Sequence, residues 1–454
     1  MRGDIIAAVA TPPGYGGIAI VRMSGGGSLE IAEKLFTNAD QLRHNPRLMV
    51  YGRIEYKDEI LDEVLAVYFK APKSYTAEDV VEIHCHGGYQ SASRIMGAAL
   101  AEGARLAEKG EFTKRAFLNG RIDLAKAQGV IDAINAKTPL SHKTAQSALS
   151  GKLSQKIDAI YNMLLDDLSK LGVEIDFPEE GNPELTYEEL ESSINAELSE
   201  IKKLIDSYDE GKLIKDGLNI SIVGRPNAGK SSLLNALLNE ERAIVTDIAG
   251  TTRDAIKESF IISGMPVNII DTAGIRNTDD EIEKIGVSKS MDYMENADVA
   301  LLIIDASKDL SGEDRALIEK LKSKKHIILL NKSDLRVQIT PELIEKTAGQ
   351  RAIMISAKTG KGLEQLKDAI ISLAIDTKLD PNEDIIITSQ EQKNLLQNAV
   401  KSLTDAQKSV EERASFDMIE IDYKMAAEYI GLITGKTVSE EILDTMFSKF
   451  CIGK

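Results

Sequence analysis

From Val80 to His86 the apolar residues Val81, Ile83 and Cys85 alternate with Glu82, His84 and His86, which predicts a strand with one core face and one polar face. Two further short runs, Gly17 to Arg22 and Val64 to Phe69, mix with short helical stretches, so residues 1–120 read as an α+β domain. Between 121 and 215 the period lengthens. Leu153, Ile157, Ile160, Leu164, Leu168 and Leu171 are spaced by three and four, which places them on one face of a helix. Phe177-Pro178 ends that run, because proline disfavours helix in the residue before it.

A third rhythm starts at Leu218. Leu218 to Val223, Val267 to Ile270, Val299 to Ile304, Ile327 to Leu330 and Ile353 to Ile355 read as strands alternating with helices, a doubly wound α/β domain over residues 216–375. Helical spacing returns over 376–454, with Leu395, Leu396, Val400 and Leu403, then Met425, Tyr429, Ile430 and Ile433, then Ile442, Leu443, Met446 and Phe447. The pattern is that of a helical domain in two parts, 121–215 and 376–454, interrupted by an inserted α/β domain. No internal repeat or low-complexity tract is visible.

A chain of 454 residues, 43% hydrophobic and 28% charged, suits about three globular domains. Its apolar runs are strand-length, far short of the ~20 residues of a membrane helix. Met1 to Val9 lacks the basic start and apolar core of a secretory signal, and Cys85 and Cys451 are too few and too far apart for a disulfide framework. The expected location is the cytoplasm. A net charge of −17 argues against a surface that grips nucleic acid all over. The charge is uneven: Asp158 to Glu210 holds sixteen acids against three bases, whereas Arg121 to Lys156 holds six bases against two acids. Any contact with a polyanion is therefore expected in the basic segment, where Lys137, Lys143, Lys152 and Lys156 are either such contacts, or contacts to a protein partner, or solvated helix charges, the last being the favoured reading.

Gly224-Arg225-Pro226-Asn227-Ala228-Gly229-Lys230-Ser231 lies between a strand and a helix, where glycines let backbone N–H groups wrap around phosphates. Lys230 neutralises the outer phosphates, Ser231 offers an oxygen to Mg²⁺, and Ser232 follows in the first helical turn. Asp271-Thr272-Ala273-Gly274 follows the next predicted strand; there an Asp can meet the Mg²⁺ shell and a Gly N–H can approach a γ-phosphate. Asn331-Lys332-Ser333-Asp334 ends another strand. A carboxylate at Asp334 can accept guanine N1–H and the exocyclic amine together, a pair of donors that adenine does not offer. Ser356-Ala357-Lys358 closes the next strand and is placed to present backbone donors to the guanine carbonyl. Each string alone is an ordinary loop; in this order, each at a strand end, they specify a GTP site.

This domain resembles the translation-factor-related GTPases. The resemblance implies a mobile switch over Thr246, Asp247, Ile248, Ala249, Gly250, Thr251 and Thr252, with Thr252 as the second side-chain ligand of Mg²⁺. Position 275 holds Ile where Ras-like enzymes keep a water-orienting Gln, so hydrolysis must take its polar group from elsewhere.

The strings Ala10-Thr11-Pro12-Pro13-Gly14-Tyr15-Gly16-Gly17, Ser74-Tyr75-Thr76-Ala77-Glu78-Asp79, His86-Gly87-Gly88 and Gly110-Glu111-Phe112-Thr113-Lys114-Arg115, with the terminal Phe450-Cys451-Ile452-Gly453-Lys454, are similar to those of the bacterial tRNA-modification GTPase family MnmE, or TrmE. The likeness spans essentially the whole chain. It implies a homodimer joined through its N-terminal domains, each binding a tetrahydrofolate derivative (5-formyl or 5,10-methylene form). It also implies a flavoprotein partner, MnmG (GidA), in a heterotetramer or larger complex, and tRNA as substrate, whose wobble uridine receives an aminomethyl or carboxymethylaminomethyl group at carbon 5. By position, the resemblance assigns Asn227, Thr246, Ile248 and Thr251 to K⁺, Glu283 to organising the attacking water, and Arg22, Glu82, Arg121 and Lys454 to folate. A form of the pattern has Lys where Arg121 stands. Cys451 is a candidate reactive thiol near the folate site or a plain thiol.

Other readings of the same residues exist. Glu82, His84 and His86 on one strand face could hold a transition metal, and Gly14 to Gly17 could be a phosphate loop, although a strand rather than a helix follows it. The terminal Cys451-Ile452-Gly453-Lys454 mimics a prenylation box poorly, which disfavours a lipid-anchored GTPase. A ribosome-assembly GTPase would share Asn227 and Ile275 but lack the N-terminal region and the tail.

Overall fold

The computed structural model describes residues 3–177, 186–240, 258–270, 297–374 and 384–453. The chain divides into two compact units. One comprises Met1–Ile131, Ser154–Ser193 and Ser402–Lys454, and the other Asp132–Leu153 and Ile194–Lys401.

The first unit holds strands β1 (Ile6–Val9), β2 (Ile18–Ser24), β3 (Val50–Tyr56), β4 (Glu59–Phe69), β5 (Val80–His86) and β6 (Arg105–Leu106), in spatial order β3-β4-β5-β2-β1-β6. All pairs are antiparallel except β1 with β6. Period-two alternation sorts the side chains onto two faces. Ala7, Val21, Met23, Val81, Ile83 and Cys85 join the core beneath the helices Ser28–Leu35 and Tyr89–Ala101. On the opposite face Ile6 and Ala8 pack with Ala107 and with Phe112 of the helix Glu111–Leu118, and Tyr75 rests against them. The strand predicted from Val80 to His86 has the predicted faces, with Glu82, His84 and His86 less buried than the residues between them.

Three carboxylates converge on two guanidinium groups at the edge of that second face. Arg115, 7% exposed, pairs with Asp4 at 2.7 Å, Glu78 at 3.1 Å and Glu111 at 3.1 Å. Arg105 holds Asp4 and Glu111, each at 2.5 Å. Burial alone would raise the Glu111 carboxyl, but the Arg105 hydrogen bonds and the Glu108 N–H hold it below its ordinary range. The network fastens the helix Glu111–Leu118 to the chain start and to the loop that carries Tyr75.

Helix Lys152–Asp176 ends where the sequence predicts, and Leu153, Ile157, Ile160, Leu164 and Leu171 are buried on one face. The helix Phe416–Thr434 buries Ile419, Tyr423, Ala426, Ile430 and Ile433. Met425 and Ile442, which belong to the helical spacing read over 376–454, are exposed. In the helix Phe416–Thr434 the inward stripe includes Tyr423, Ala426 and Ala427 beside its isoleucines, and a count of large aliphatics passes over these.

The second unit holds β7 (Leu218–Val223), β8 (Glu258–Ile262), β9 (Met265–Ile270), β10 (Val299–Asp305), β11 (His326–Asn331) and β12 (Ile353–Met354) in order β12-β11-β10-β7-β9-β8. Every pairing is parallel except β8 with β9 at the edge. Each inner strand is buried on both faces, as a parallel sheet covered by helices requires. The strand order reverses between β7 and β10, the position where open α/β sheets bind ligands beyond their carboxyl ends. The edge strand β8 was not predicted from the sequence pattern.

Candidate functional site

Val223 ends β7 and the chain turns through Gly224–Gly229 into the helix Lys230–Glu240. The turn has no room for side chains at its two glycines: a Cβ at Gly224 would lie 2.4 Å from the Ile303 carbonyl oxygen, and one at Gly229 would lie 2.2 Å from Asn331 Nδ2. Gly229 has φ +104° and Asn227 has φ 61°, the left-handed region that glycine and, among side chains, asparagine tolerate best.

The carbonyl oxygens of this loop are held. Lys230 Nζ donates to Gly224 O at 2.9 Å and Arg225 O at 3.1 Å. Lys332 Nζ donates to Asn227 O at 2.8 Å, and Asn331 Nδ2 to Ala228 O at 2.9 Å. Engaging four of the loop's carbonyls in this way favours turning its remaining N–H groups to an anion, the arrangement of a phosphate-binding nest. Lys230 and Ser231 open the helix, where the dipole and first-turn N–H groups add to the same preference, and the Ser231 hydroxyl suits a hard cation.

Asn331 and Lys332 come from the end of β11 and bind this loop to the next. Asn331 Oδ1 accepts from Ala357 N at 3.0 Å, so one buried amide joins the phosphate loop to the Ser356-Ala357-Lys358 turn. Lys332, at φ 65°, also pairs with Asp305 of β10 at 2.6 Å. Burial would raise the Asp305 carboxyl, but Lys332 and two Ser307 donors hold it low. Asp334 accepts from Ser356 Oγ at 2.7 Å, which with its own N–H keeps its carboxyl below the usual range. It is therefore an ionised acceptor, as reading guanine requires. Asp305 carries no motif and was missed by the sequence analysis; the signal available was an acid closing an apolar strand.

Thr246, Asp247, Ile248, Ala249, Gly250, Thr251, Thr252, Asp271, Thr272, Ala273, Gly274, Glu283 and Lys454 lie outside the described residues. The structure brings together Asn227, Ala228, Gly229, Lys230, Ser231, Ser232, Asn331, Lys332, Asp334, Ser356, Ala357 and Lys358 at the carboxyl ends of adjacent strands.

A second polar cluster sits in the first unit. Arg22 and Glu82 are register partners across β2 and β5, and their side chains pair at 2.8 Å. Arg22 also donates to the Gly453 carbonyl at 3.2 Å, which draws the C-terminal tail to this face. Its guanidinium lies 5.6 Å from the centre of the Tyr75 ring and that of Arg121 lies 5.0 Å from the same ring. Arg121 further donates to Tyr75 O at 2.8 Å. Three residues assigned by resemblance, Arg22, Glu82 and Arg121, thus meet around Tyr75, a residue that the sequence analysis quoted without assigning a role. His84 Nε2 lies 3.3 Å from Glu82, whereas His86 turns to Asp62, which accepts from its Nδ1 at 2.6 Å and its backbone N–H at 2.9 Å. No grouping of three or more metal-ligating side chains occurs among the described residues, so the metal alternative for this strand face has no geometric support there. Cys85 is buried, and burial with the Asp62 charge pushes its thiol up to about 11; Cys451 is exposed.

The MnmE helical domain family matches residues 124–451, and the family described as the GTP-binding protein TrmE N-terminus matches residues 5–121. The tRNA modification GTPase MnmE of Clostridioides difficile (strain 630) is 48% identical over 455 residues, covering 99% of each chain. That of Alkaliphilus metalliredigens (strain QYMF) is 45% identical over 458 residues, again covering 99% of each. Among solved structures, the G domain of the T. maritima FeoB iron transporter is 28% identical, covering 35% of this chain and 99% of that one with a TM-score of 0.26. No helix among the described residues is long and apolar enough to cross a membrane.

Proposed function

The chain belongs to the family of tRNA modification GTPases named MnmE and is thereby a GTP hydrolase, and from that premise we propose that its GTP turnover, stimulated by K⁺, serves the modification of tRNA wobble uridines at carbon 5. The reaction runs with a flavoprotein partner of the MnmG type and takes its one-carbon unit from a tetrahydrofolate derivative. The protein acts as a homodimer. The domain scheme is an N-terminal α+β domain over 1–120 and a helical domain, 121–215 and 376–454, interrupted by the GTPase domain at 216–375.

The observation that carries the nucleotide half is the phosphate loop, whose carbonyls are engaged by Lys230, Lys332 and Asn331 while Asp334 stands ready as an acceptor. In this reading Lys230 and Ser231 bind the phosphates and Mg²⁺, Thr252 completes the Mg²⁺ shell, and Asn227, Thr246, Ile248 and Thr251 hold K⁺. The cation supplies positive charge where other GTPases use an arginine finger. Glu283 organises the attacking water.

The folate half rests on the Arg22–Glu82–Tyr75–Arg121 cluster. A pterin presents a flat ring with adjacent N–H donors, which an aromatic face and a carboxylate suit; a glutamyl tail is an anion, which guanidinium groups suit. Lys454 and Cys451 contribute from the tail. The test is mass analysis of tRNA nucleosides from cells lacking this chain and from cells complemented with it. Loss of the carbon-5 group in the first and its return in the second are expected; normal wobble nucleosides in the deleted strain, with no redundant pathway, would overturn the proposal.

A further inference from the structure

Arg225 stands inside the phosphate loop, where an arginine would ordinarily be read as a phosphate ligand. Its side chain goes elsewhere. The guanidinium donates from Nε to Glu313 at 2.9 Å, and Nη1 lies 3.7 Å from Asp314 Oδ2. Both acids lie in the first turn of the helix Gly312–Leu321, which follows β10. Asp314 is 4% exposed and closes a capping box: its Oδ2 accepts from Ser311 N at 3.1 Å and Ser311 Oγ at 2.6 Å, while its own N–H donates to Ser311 Oγ at 3.1 Å. A carboxylate so fixed cannot swing out to follow a cation, so the cation must come to it. The main chain of the same residue points inward. Arg225 O accepts from Lys230 Nζ at 3.1 Å and from Ala228 N at 3.3 Å.

We propose that Arg225 is a positioning residue that tethers the leading edge of the phosphate loop to the capped end of the helix Gly312–Leu321, and so sets the carbonyl on which Lys230 is aligned. Its charge acts on Glu313 and Asp314 and not on the nucleotide. A displacement of that helix is then felt at Lys230 through one residue. The proposal rests on reading Gly224 to Ser231 as the phosphate loop.

The test uses the purified full-length chain, with fluorescent GDP dissociation and steady-state GTP turnover measured for Arg225→Ala, Arg225→Glu, Glu313→Arg and the double variant Arg225→Glu/Glu313→Arg. A largely exposed ion pair is worth little, so Arg225→Ala should speed GDP release only about twofold to fivefold, moving KM more than kcat. Arg225→Glu should be worse, and the double variant should recover at least half of that loss, since the swapped pair restores the tether. If Arg225→Ala leaves release unchanged, or if the double variant stays as defective as Arg225→Glu with an unaltered thermal unfolding profile, Arg225 is not a tether to this helix. Lys230→Ala separates the two claims: GDP binding that survives it intact overturns the phosphate-loop reading itself.

Discussion

Replacing Asn331 with alanine removes a side chain that joins the phosphate loop to the turn at Ala357. Asn331 is 2% exposed and makes two bonds, Nδ2 to Ala228 O at 2.9 Å and Oδ1 from Ala357 N at 3.0 Å. A lost bond costs roughly 1 kcal/mol where water can replace it and about 1–3 kcal/mol where the partner is left buried and unsatisfied. Ala228 is itself 3% exposed, so water reaches its carbonyl poorly, and a loss of ~2–4 kcal/mol from the ordered pair of loops follows. If half of that is felt in binding, GDP affinity falls on the order of tenfold, since about 1.4 kcal/mol is a factor of ten. Asn331→Asp is the sharper variant. It keeps the acceptor for Ala357 but sets a carboxylate oxygen against the Ala228 carbonyl, two acceptors face to face, while Lys332 is already engaged by Asn227 and Asp305. It should bind GDP no better than the alanine variant at neutral pH. Calorimetric titration with GDP, with thermal unfolding in parallel, measures both. Affinities within twofold of the parent for both variants, or an aspartate variant clearly tighter than the alanine one, would refute the reasoning.

Four further outcomes are expected. Asp334→Asn keeps an oxygen for Ser356 but presents an amide donor where guanine also donates, so turnover should shift from GTP toward XTP by orders of magnitude; unchanged selectivity in a competition assay would remove Asp334 from the base site. GTP turnover should be faster in KCl than in NaCl, and Asn227→Ala should erase the difference; equal rates in both salts would end the K⁺ reading. Calorimetric titration with 5-formyltetrahydrofolate should lose most of its heat in Glu82→Ala, and heat preserved in that variant would place the folate elsewhere. At pH 8 a thiol reagent should label Cys451 rapidly and Cys85 only on unfolding, because burial holds the Cys85 thiol near 11; two fast thiols per chain would contradict the buried placement.

How much of this was legible in the sequence depends on the range of the interaction that fixes each feature. Inner strands such as β7 and β10 announce themselves, because burial on both faces demands an unbroken apolar run. The edge strand β8 and the strand β3 do not: one partner or one covered face leaves a pattern that also fits a loop. The phosphate loop was legible because its glycines answer to local backbone geometry. Asp305, Glu313 and Tyr75 were not, because their roles exist only where a strand, a helix and a loop, each distant in sequence from its partner, deliver them beside Lys332, Arg225 and Arg22.

The same distinction explains why the two polar clusters are differently specified. At the nucleotide site the parallel sheet does the aligning: β7, β10 and β11 are neighbours in fixed register, so Asp305 and Asn331 close adjacent strands opposite each other, and Asn331 bonds to Ala228 in the loop that follows Val223. In the first unit the antiparallel pair β2 and β5 brings only Arg22 and Glu82 opposite each other. Tyr75 and Arg121 must be placed by other means, and the means are the buried ion network. Arg115 holds Glu78, Asn119 donates to Thr76 O at 2.8 Å, and Arg121 donates to Tyr75 O, so the loop bearing the ring is gripped from the helix Glu111–Leu118 and the turn after it. The conspicuous string Gly110 to Arg115 is thus an anchor for the cluster: besides the Arg115 ion pairs, Thr113 Oγ1 lies 2.9 Å from the Tyr75 hydroxyl.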